Sequence, residues 1–392
     1  MTPYLGIGWQ ISELHGWGIF GINVARQLLL RGAPAPRLLD EPVLDETAAR
    51  ELQALIQDWK VVSHSRAQHP NKDPTFLADS TVIQAFGNGF TGPGSQRRFR
   101  GERNVGFIFF EENAFTEQQL AFGREMDVML AGSRWNAELL KEWGFARSAF
   151  VMQGVDTERF QPRPRTGLFG DRFVIFSGGK LEIRKGQDIV LVAFREFVRR
   201  HPDAMLVTAW HNPWPATAAS IKESQHNVGL PATDAATNRL MITEWLRDSG
   251  LPAGSYLDAG FLNNRDMPRY YREVDVALFP NRAEGGTNLV AMEAMASGIP
   301  CILSANTGHL DLMEGDNCYA LTCQASLPGA DRKGWGESDP AEIVEKLEQA
   351  YAHRAEARER GLRGAAFIGQ FNWKAQTEQL ISTIDSLLGT PA

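Results

Sequence analysis

The chain has 392 residues, 43% of them hydrophobic and 22% charged, with a formal net charge of −7. This is the composition of an ordinary folded protein of two or three domains, and its acidic balance argues against a nucleic-acid partner. No apolar run reaches the roughly eighteen residues of a membrane span, and the N-terminus has no basic leader or cleavage site, so a cytoplasmic protein is expected.

Residues 4–9 read as a buried strand and 22–30 as a helix closed by Gly32, with the glycine-rich stretch Gly16-Trp17-Gly18-Ile-Phe-Gly21 between them. The spacing is formally GxGxxG, with Asp40 about twenty residues on, so an NAD-dependent oxidoreductase is one alternative. Against it, six residues separate the strand from the first glycine, whereas a dinucleotide turn follows its strand at once. His15 beside the glycines is a weak further candidate. Residues 43–80 are poorly patterned, while 81–86 and 104–110 look like short strands. Arg97, Arg98, Arg100 and Arg103 make a short basic cluster in a glycine-rich stretch. It is either a solvated loop or a contact for an acceptor phosphate or an anionic membrane surface, the latter implying peripheral membrane association. Glu111, after the second strand, is either a helix N-terminal acid or a group that binds an acceptor hydroxyl and acts as a weak base.

Two prolines, Gly167 and alternating charge make a linker near residue 165. A strand at 172–177 then runs into Gly178-Gly179-Lys180-Leu-Glu-Ile-Arg184-Lys185-Gly186, followed by a helix at 187–200. Three cations within six residues at a strand's C-terminal end lie where open α/β sheets bind ligands, and would neutralise a diphosphate. Strands follow at 204–209 and 256–262, the second ending in Gly260-Phe261-Leu262. A short helix is expected at 267–272. The segment 211–237 is a helix pair or a long loop from which no chemistry can be read.

The most informative stretch is FPNRAEGGTNLVAMEAMASGIP, residues 279–300. It reads as a strand, a glycine turn and a helix that begins at Thr287 and stops at Gly298. Gly285 and Gly286 can take positive φ and let a ligand approach, Thr287 or Asn288 can cap the helix, and the free N–H groups there suit a phosphate. Glu293 sits among Leu289, Val290, Ala291 and Met292, so its buried carboxylate needs donors, and leaving it without them costs on the order of several kcal/mol. A ribose diol could supply them; a neighbouring backbone or an arginine is the alternative. Beyond Pro300 come a strand at 302–303, a turn at 307–311 and helices at 340–361 and 373–388. Cys301, Cys318 and Cys323 have neither an even count nor zinc spacing and read as core thiols.

Residues 279–300 resemble the donor-site motif of the retaining glycosyltransferases of family 4, which have two glutamates separated by seven residues; here eight lie between Glu284 and Glu293. The resemblance extends over the glycine stretch Gly16–Gly18, the passage Gly154-Val-Asp156 with Phe160 and Pro162, the turn with Lys180 and Lys185 at the family's arginine and lysine positions, and Gln370-Phe-Asn-Trp373. It implies the α/β GT-B fold, two doubly wound Rossmann-like domains facing a cleft. Residues 1–165 would form the acceptor side, 166–370 the donor domain, and 371–392 a helix returning to the first domain. It also implies a hexosyltransferase using a nucleoside diphosphate sugar, UDP or GDP, and no cofactor. Glu284, Lys185, Lys180 and Glu111 are then the catalytic candidates. Gly16, Trp17, Gly18, Gly179, Arg184, Phe261, Leu262, Gly285, Gly286, Thr287, Asn288, Leu289 and Glu293 are the donor-binding ones. No metal is expected, since no Asp-x-Asp pair stands at a strand end. The acceptor is a glycan, a lipid-linked group or a small molecule. A sugar-nucleotide epimerase or phosphorylase of the same fold, and a non-enzymatic glycan-binding protein, stay open.

Overall fold

The computed structural model describes residues 4–32, 34–67, 74–90 and 99–389 and divides into two compact units. The first comprises Met1–Gly154, Gly329–Lys333 and Phe371–Ala392, and the second Val155–Pro328 and Gly334–Gln370. The passage after Gly154 clusters with the second unit because Phe160 is buried there against Tyr271, and Glu273 accepts from the backbone N–H groups of Thr166 and Gly167.

The first unit runs β1 (Tyr4–Ile7), α1 (Gly16–Arg31), β2 (Ala35–Leu38), α2 (Glu46–Glu51), α3 (Gln53–Ala67), β3 (Thr75–Phe86), β4 (Phe99–Ile108), α4 (Glu117–Arg124), β5 (Val128–Ala131), α5 (Arg134–Glu142) and β6 (Ser148–Phe150). Its sheet is parallel, in the order β2-β1-β3-β4-β5-β6. In the second unit, β7 (Phe173–Gly178), α6 (Gln187–Arg200) and β8 (Ala204–Ala209) lead to the small hairpin β9 (Thr233–Asp234) and β10 (Arg239–Leu240). Then come α7 (Ile242–Asp248), β11 (Tyr256–Asp258), α8 (Met267–Tyr271), β12 (Val276–Phe279), α9 (Leu289–Ala296), β13 (Cys301–Ser304) and β14 (Tyr319–Leu321). A second hairpin, β15 (Gln324–Ser326) and β16 (Gly336–Ser338), precedes α10 (Pro340–Ala352) and α11 (Arg354–Ile368); α12 (Trp373–Gly389) belongs to the first unit. The six-stranded sheet is again parallel, β11-β8-β7-β12-β13-β14. Both units are therefore doubly wound, as expected.

The strand order determines where a ligand can sit. From β7 the chain winds one way through β8 and β11, and from β12 it winds the other way through β13 and β14. The loops leaving β7 and β12 diverge at this switch point, where such sheets open a crevice at their strand ends. These are the lysine turn and the double-glycine turn.

Several local expectations need correction. Helix α1 starts at Gly16, not Ile22, because the His15 Nδ1 accepts the Gly18 N–H at 3.1 Å and caps it. The glycines thus lie inside a helix: a Cβ on Gly18 would stand 2.3 Å from the Ser12 carbonyl oxygen, and one on Gly21 2.6 Å from Ile11. They let α1 pack closely, and the dinucleotide alternative loses its phosphate turn. The unpatterned stretch 43–80 contains α2, α3 and the start of β3. Of the basic cluster, Arg97 and Arg98 lie outside the described residues; Arg100 and Arg103 stand on β4, not in a loop, and Arg100 pairs with Glu125. Glu111 is not a first-turn acid, since α4 begins at Glu117 with Thr116 as its cap. The single helix expected at 340–361 is two, broken at His353 (φ −120°, ψ 53°). Among the described residues no helix is long and apolar enough to cross a membrane.

Helix α11 crosses the end of α9 at Gly361, where a Cβ would meet the Gly298 carbonyl oxygen at 2.2 Å. Gly361→Ala is therefore expected to push the two helices apart and cost about 1–3 kcal/mol, read as a lower urea midpoint with an unchanged slope.

Candidate active site

The site grows from two turns on adjacent strands of the second unit. Gly186 ends the lysine turn with φ +69°, in the left-handed region, and a Cβ there would lie 2.2 Å from the Pro280 carbonyl oxygen. Only glycine satisfies both demands, so the turn after β7 rests directly on the start of the turn after β12. The Arg282 N–H donates to the Arg184 carbonyl at 2.7 Å and ties the two backbones together.

Side chains complete the junction. Lys185 Nζ stands 2.5 Å from one oxygen of Glu284, and Arg184 donates to the other at 3.0 Å. Asn281 also donates to Glu284, and the Glu284 N–H is received by Thr307 Oγ1 at 2.8 Å. Glu284 is 4% exposed. Burial alone would raise its pKa, but Lys185 and Arg184 outweigh burial and hold it at about 2. Burial lowers Lys185, which shares its carboxylate partner with Arg184. Glu182, inside the lysine turn, pairs with Arg184 and, at 2.9 Å, with Lys180. Three cations thus face two acids, leaving one positive charge in excess. Lys180, expected to face a diphosphate together with Lys185, already has a carboxylate partner.

The start of α9 is held from behind. The helix begins at Leu289, two residues later than expected, with Asn288 as N-cap; Thr287 does not cap it, and instead its hydroxyl contacts Met292 Sδ. The left-handed residue is Asn288 (φ 62°) rather than Gly285 or Gly286, a conformation that asparagine tolerates. Its amide lies 3.1 Å from His309 Nε2, and His309 Nδ1 is 3.0 Å from Ser304 Oγ, which donates to the Asn281 carbonyl at 2.6 Å. Burial lowers His309 to about 4, so the imidazole is neutral, accepting from Asn288 and donating to Ser304. The 307–308 turn fits against the double glycine because Gly308 has no side chain: a Cβ would fall 1.6 Å from the Gly286 carbonyl oxygen.

Glu293, on α9, is 6% exposed, and its carboxylate receives the Asn264 amide at 2.5 Å. Asn264 is in turn held by Arg159 at 2.7 Å. Burial raises Glu293 to about 8, against the opposing Asn264 hydrogen bond and the Arg159 charge. Among the described residues the Glu293 carboxylate neither caps a neighbouring backbone nor pairs with an arginine, the two alternatives to a ribose contact. Phe261, beyond β11, is 37% exposed and Leu262 is half-buried.

The remaining candidates lie in the first unit. Trp17 packs edge-on against Trp9 and Phe109, its carbonyl accepts the Trp9 indole N–H at 2.9 Å, and so it belongs to an aromatic cluster with Phe20 and Phe107. Glu111 is half-buried, with its N–H donating to Asn88. The sequence reading missed Glu182, Asn281, Asn264, Thr307 and His309. Glu182 could have been found as an acid enclosed by three cations, whereas Asn264 and His309 carry no local signal.

Residues 172–352 match the family described as glycosyl transferases group 1. The chain is 28% identical over 203 residues to the GDP-mannose-dependent alpha-(1-6)-phosphatidylinositol monomannoside mannosyltransferase of Mycolicibacterium smegmatis, covering 47% of this chain and 46% of the relative. It is 25% identical over 273 residues to the D-inositol 3-phosphate glycosyltransferase of Segniliparus rotundus, covering 67% and 53%. The chain spans about half the length of these curated relatives. Among solved structures, a sucrose-phosphate synthase from Thermosynechococcus elongatus superposes with a TM-score of 0.66 at 15% identity, over 98% of this chain and 99% of that one. Anabaena Alr3699/HepE in complex with UDP and glucose gives 0.67 at 14%, over 98% and 100%. These likenesses establish the GT-B fold.

A buried acid with a raised pKa makes a signed prediction. Between the ordinary carboxylate value of 4.5 and about 8 the folded state holds a proton on Glu293 that the unfolded chain has lost, so its contribution to stability declines as pH rises through that window. Glu293→Gln is expected to gain stability over the parent between pH 5.5 and pH 8.5, by on the order of a few kcal/mol, in urea titrations at the two pH values.

Proposed function

We propose that the chain, whose residues 172–352 match the glycosyl transferases of group 1, moves a hexosyl group from a UDP- or GDP-sugar to an acceptor hydroxyl, with retention of configuration and without a metal ion. The observation that carries this reading is the junction of the two switch-point turns through Lys185, Arg184 and Glu284. An anionic group seated there meets the N-terminus of α9, where the N–H groups of Asn288, Leu289 and Val290 have no acceptor within the helix, and two or three cations. In the proposed arrangement the diphosphate lies against these groups, the ribose diol donates to Glu293 in place of Asn264, the base runs along Phe261 and Leu262, and the sugar lies near Glu284. In the first unit, Glu111 is the candidate contact for the acceptor hydroxyl.

As the anomeric C–O bond breaks, negative charge grows on the diphosphate, and fixed cations and N–H groups stabilise that charge more than the bound donor. Lysines and a helix dipole do here what a divalent ion does elsewhere. A covalent route would need Glu284 as nucleophile. Its oxygens are engaged by Lys185, Asn281 and Arg184, and a carboxylate with a pKa of about 2 is a poor nucleophile. The same-face route is therefore preferred: the acceptor oxygen bonds to the anomeric carbon on the face the diphosphate leaves, and its proton passes to a leaving phosphate oxygen. The GDP-mannose-dependent relative, which acts on a phosphatidylinositol monomannoside, supports a nucleotide-activated donor and a lipid-type acceptor, and the D-inositol 3-phosphate glycosyltransferase supports an inositol-type one.

Thermal shifts against UDP-, GDP-, ADP- and dTDP-sugars test the donor class; stabilisation by NAD alone, or by none of them, would remove the assignment. Within it, Lys185→Ala is expected to lower turnover by about 10²-fold or more. Glu284→Gln should lower transfer without weakening nucleoside diphosphate binding, because the substitution frees Lys185 and Arg184. Wild-type rates in either variant would take that side chain out of the mechanism.

A further inference from the structure

Behind the two turns lies a second charged cluster that the donor does not need to touch. Arg282, two residues before Glu284, is 2% exposed, and its guanidinium is saturated by protein. It donates to both oxygens of Asp188 at 2.8 and 2.7 Å, to Glu337 at 2.7 Å, and to the Ile183 carbonyl at 2.6 Å. Asp188 also accepts from Ser224 at 2.5 Å, and His226 lies 3.0 Å from Glu337. Asp188, His226 and Glu337 come within 4.8 Å of one another, a grouping able to hold a cation; the cation there is the Arg282 guanidinium.

Stability does not explain such a group. Removing a guanidinium and two carboxylates from water costs about what their attraction returns, and apolar side chains of the same volume often serve as well. What the cluster does achieve is registration. Asp188 lies in the first turn of α6, Ile183 immediately precedes Arg184, and Glu337 is on β16. A planar fork bonded to all three fixes the lysine turn, the helix after it and the hairpin strand against the turn that carries Glu284. Main-chain bonds run alongside, from Arg282 N–H to the Arg184 carbonyl and from Gly336 N–H to the Arg282 carbonyl, at 2.7 and 2.9 Å.

We propose that Arg282 is a positioning residue for the donor's diphosphate: it contacts no substrate, and sets the separation of Arg184 and Lys185 from the start of α9. This rests on the nucleotide-sugar reading above. It divides the donor pocket into a diphosphate half that depends on Arg282 and a nucleoside half, around Glu293 and Asn264, that does not. A merely structural arginine would weaken both halves together.

The test is calorimetric titration of the full chain with UDP and uridine, or with GDP and guanosine if wild type prefers them. Variants are Arg282→Lys, which keeps charge and loses the fork, and Glu337→Gln, which keeps shape and loses one charge. Trp245→Phe in the α7 core, away from both turns, controls for general destabilisation. The expected result is a loss of about tenfold or more in diphosphate affinity for Arg282→Lys and a smaller loss for Glu337→Gln, with nucleoside affinity unchanged in both. The control should lower the melting temperature and leave the diphosphate-to-nucleoside ratio as in wild type. Equal losses for nucleoside and diphosphate, or no loss in either variant, overturn the positioning role while leaving the donor class intact. Should Arg282→Lys fail to fold, Glu337→Gln decides by the same ratio. Wild-type protein that binds neither nucleoside diphosphate overturns both the donor class and the role of Arg282.

Discussion

One carboxylate shared by two buried cations is the constraint on which the second unit's site depends. Glu284 joins Lys185 and Arg184 across a junction of two loops, and each of these side chains is largely withdrawn from water. Leaving any one without its partners would expose the others to the penalty of an uncompensated buried charge. The loops are therefore obliged to stay together, and the backbone is shaped for it: glycine at 186 beneath the Pro280 carbonyl, glycine at 308 beneath the Gly286 carbonyl. Close approach of main chain to main chain and charge pairing of side chains require the same geometry.

That junction also explains how the proposed site could take an anion although its cations are paired. Three cations against two acids leave an excess positive charge, and the α9 N-terminus adds a partial one. The diphosphate of a sugar nucleotide would bring as much negative charge as Glu284 and Glu182 hold between them, and more as it leaves, so in the proposed complex it takes over the cations while the acids turn to hydroxyl donors. Glu293 behaves in a complementary way. It is proton-bearing in the free protein because burial disfavours its charge, and donor hydroxyls at its oxygens would restore the ionised form.

The first unit shows the limit of motif reading. Gly16, Gly18 and Gly21 have the spacing of a phosphate loop, yet all three lie within α1, where Gly18 and Gly21 bring the helix against Ser12 and Ile11, with His15 as its cap. Glycine signals only the absence of a side chain. Whether a ligand or another segment of the chain fills the space is settled by what packs there. The same ambiguity at 285–286 resolved differently in detail: the left-handed residue is Asn288, which sequence reasoning had offered only as a cap.

The amino-acid sequence alone determined the alternation of strands and helices, the two glycine turns, the buried acid in α9 and the cations of the lysine turn, because each is a local pattern of periodicity, propensity or charge. It did not determine which charges meet. Lys185 and Glu284 are 99 residues apart, and Arg184 and Glu284 100, and they are neighbours because β12 inserts beside β7 after the chain has already built β8 and β11 on the other side. Asn264 and His309 acquire their roles by the same route. Long-range strand order is decided by how the buried faces of the whole sheet are covered, a property no single segment carries, and so the pairing of the site's charges belongs to the tertiary structure.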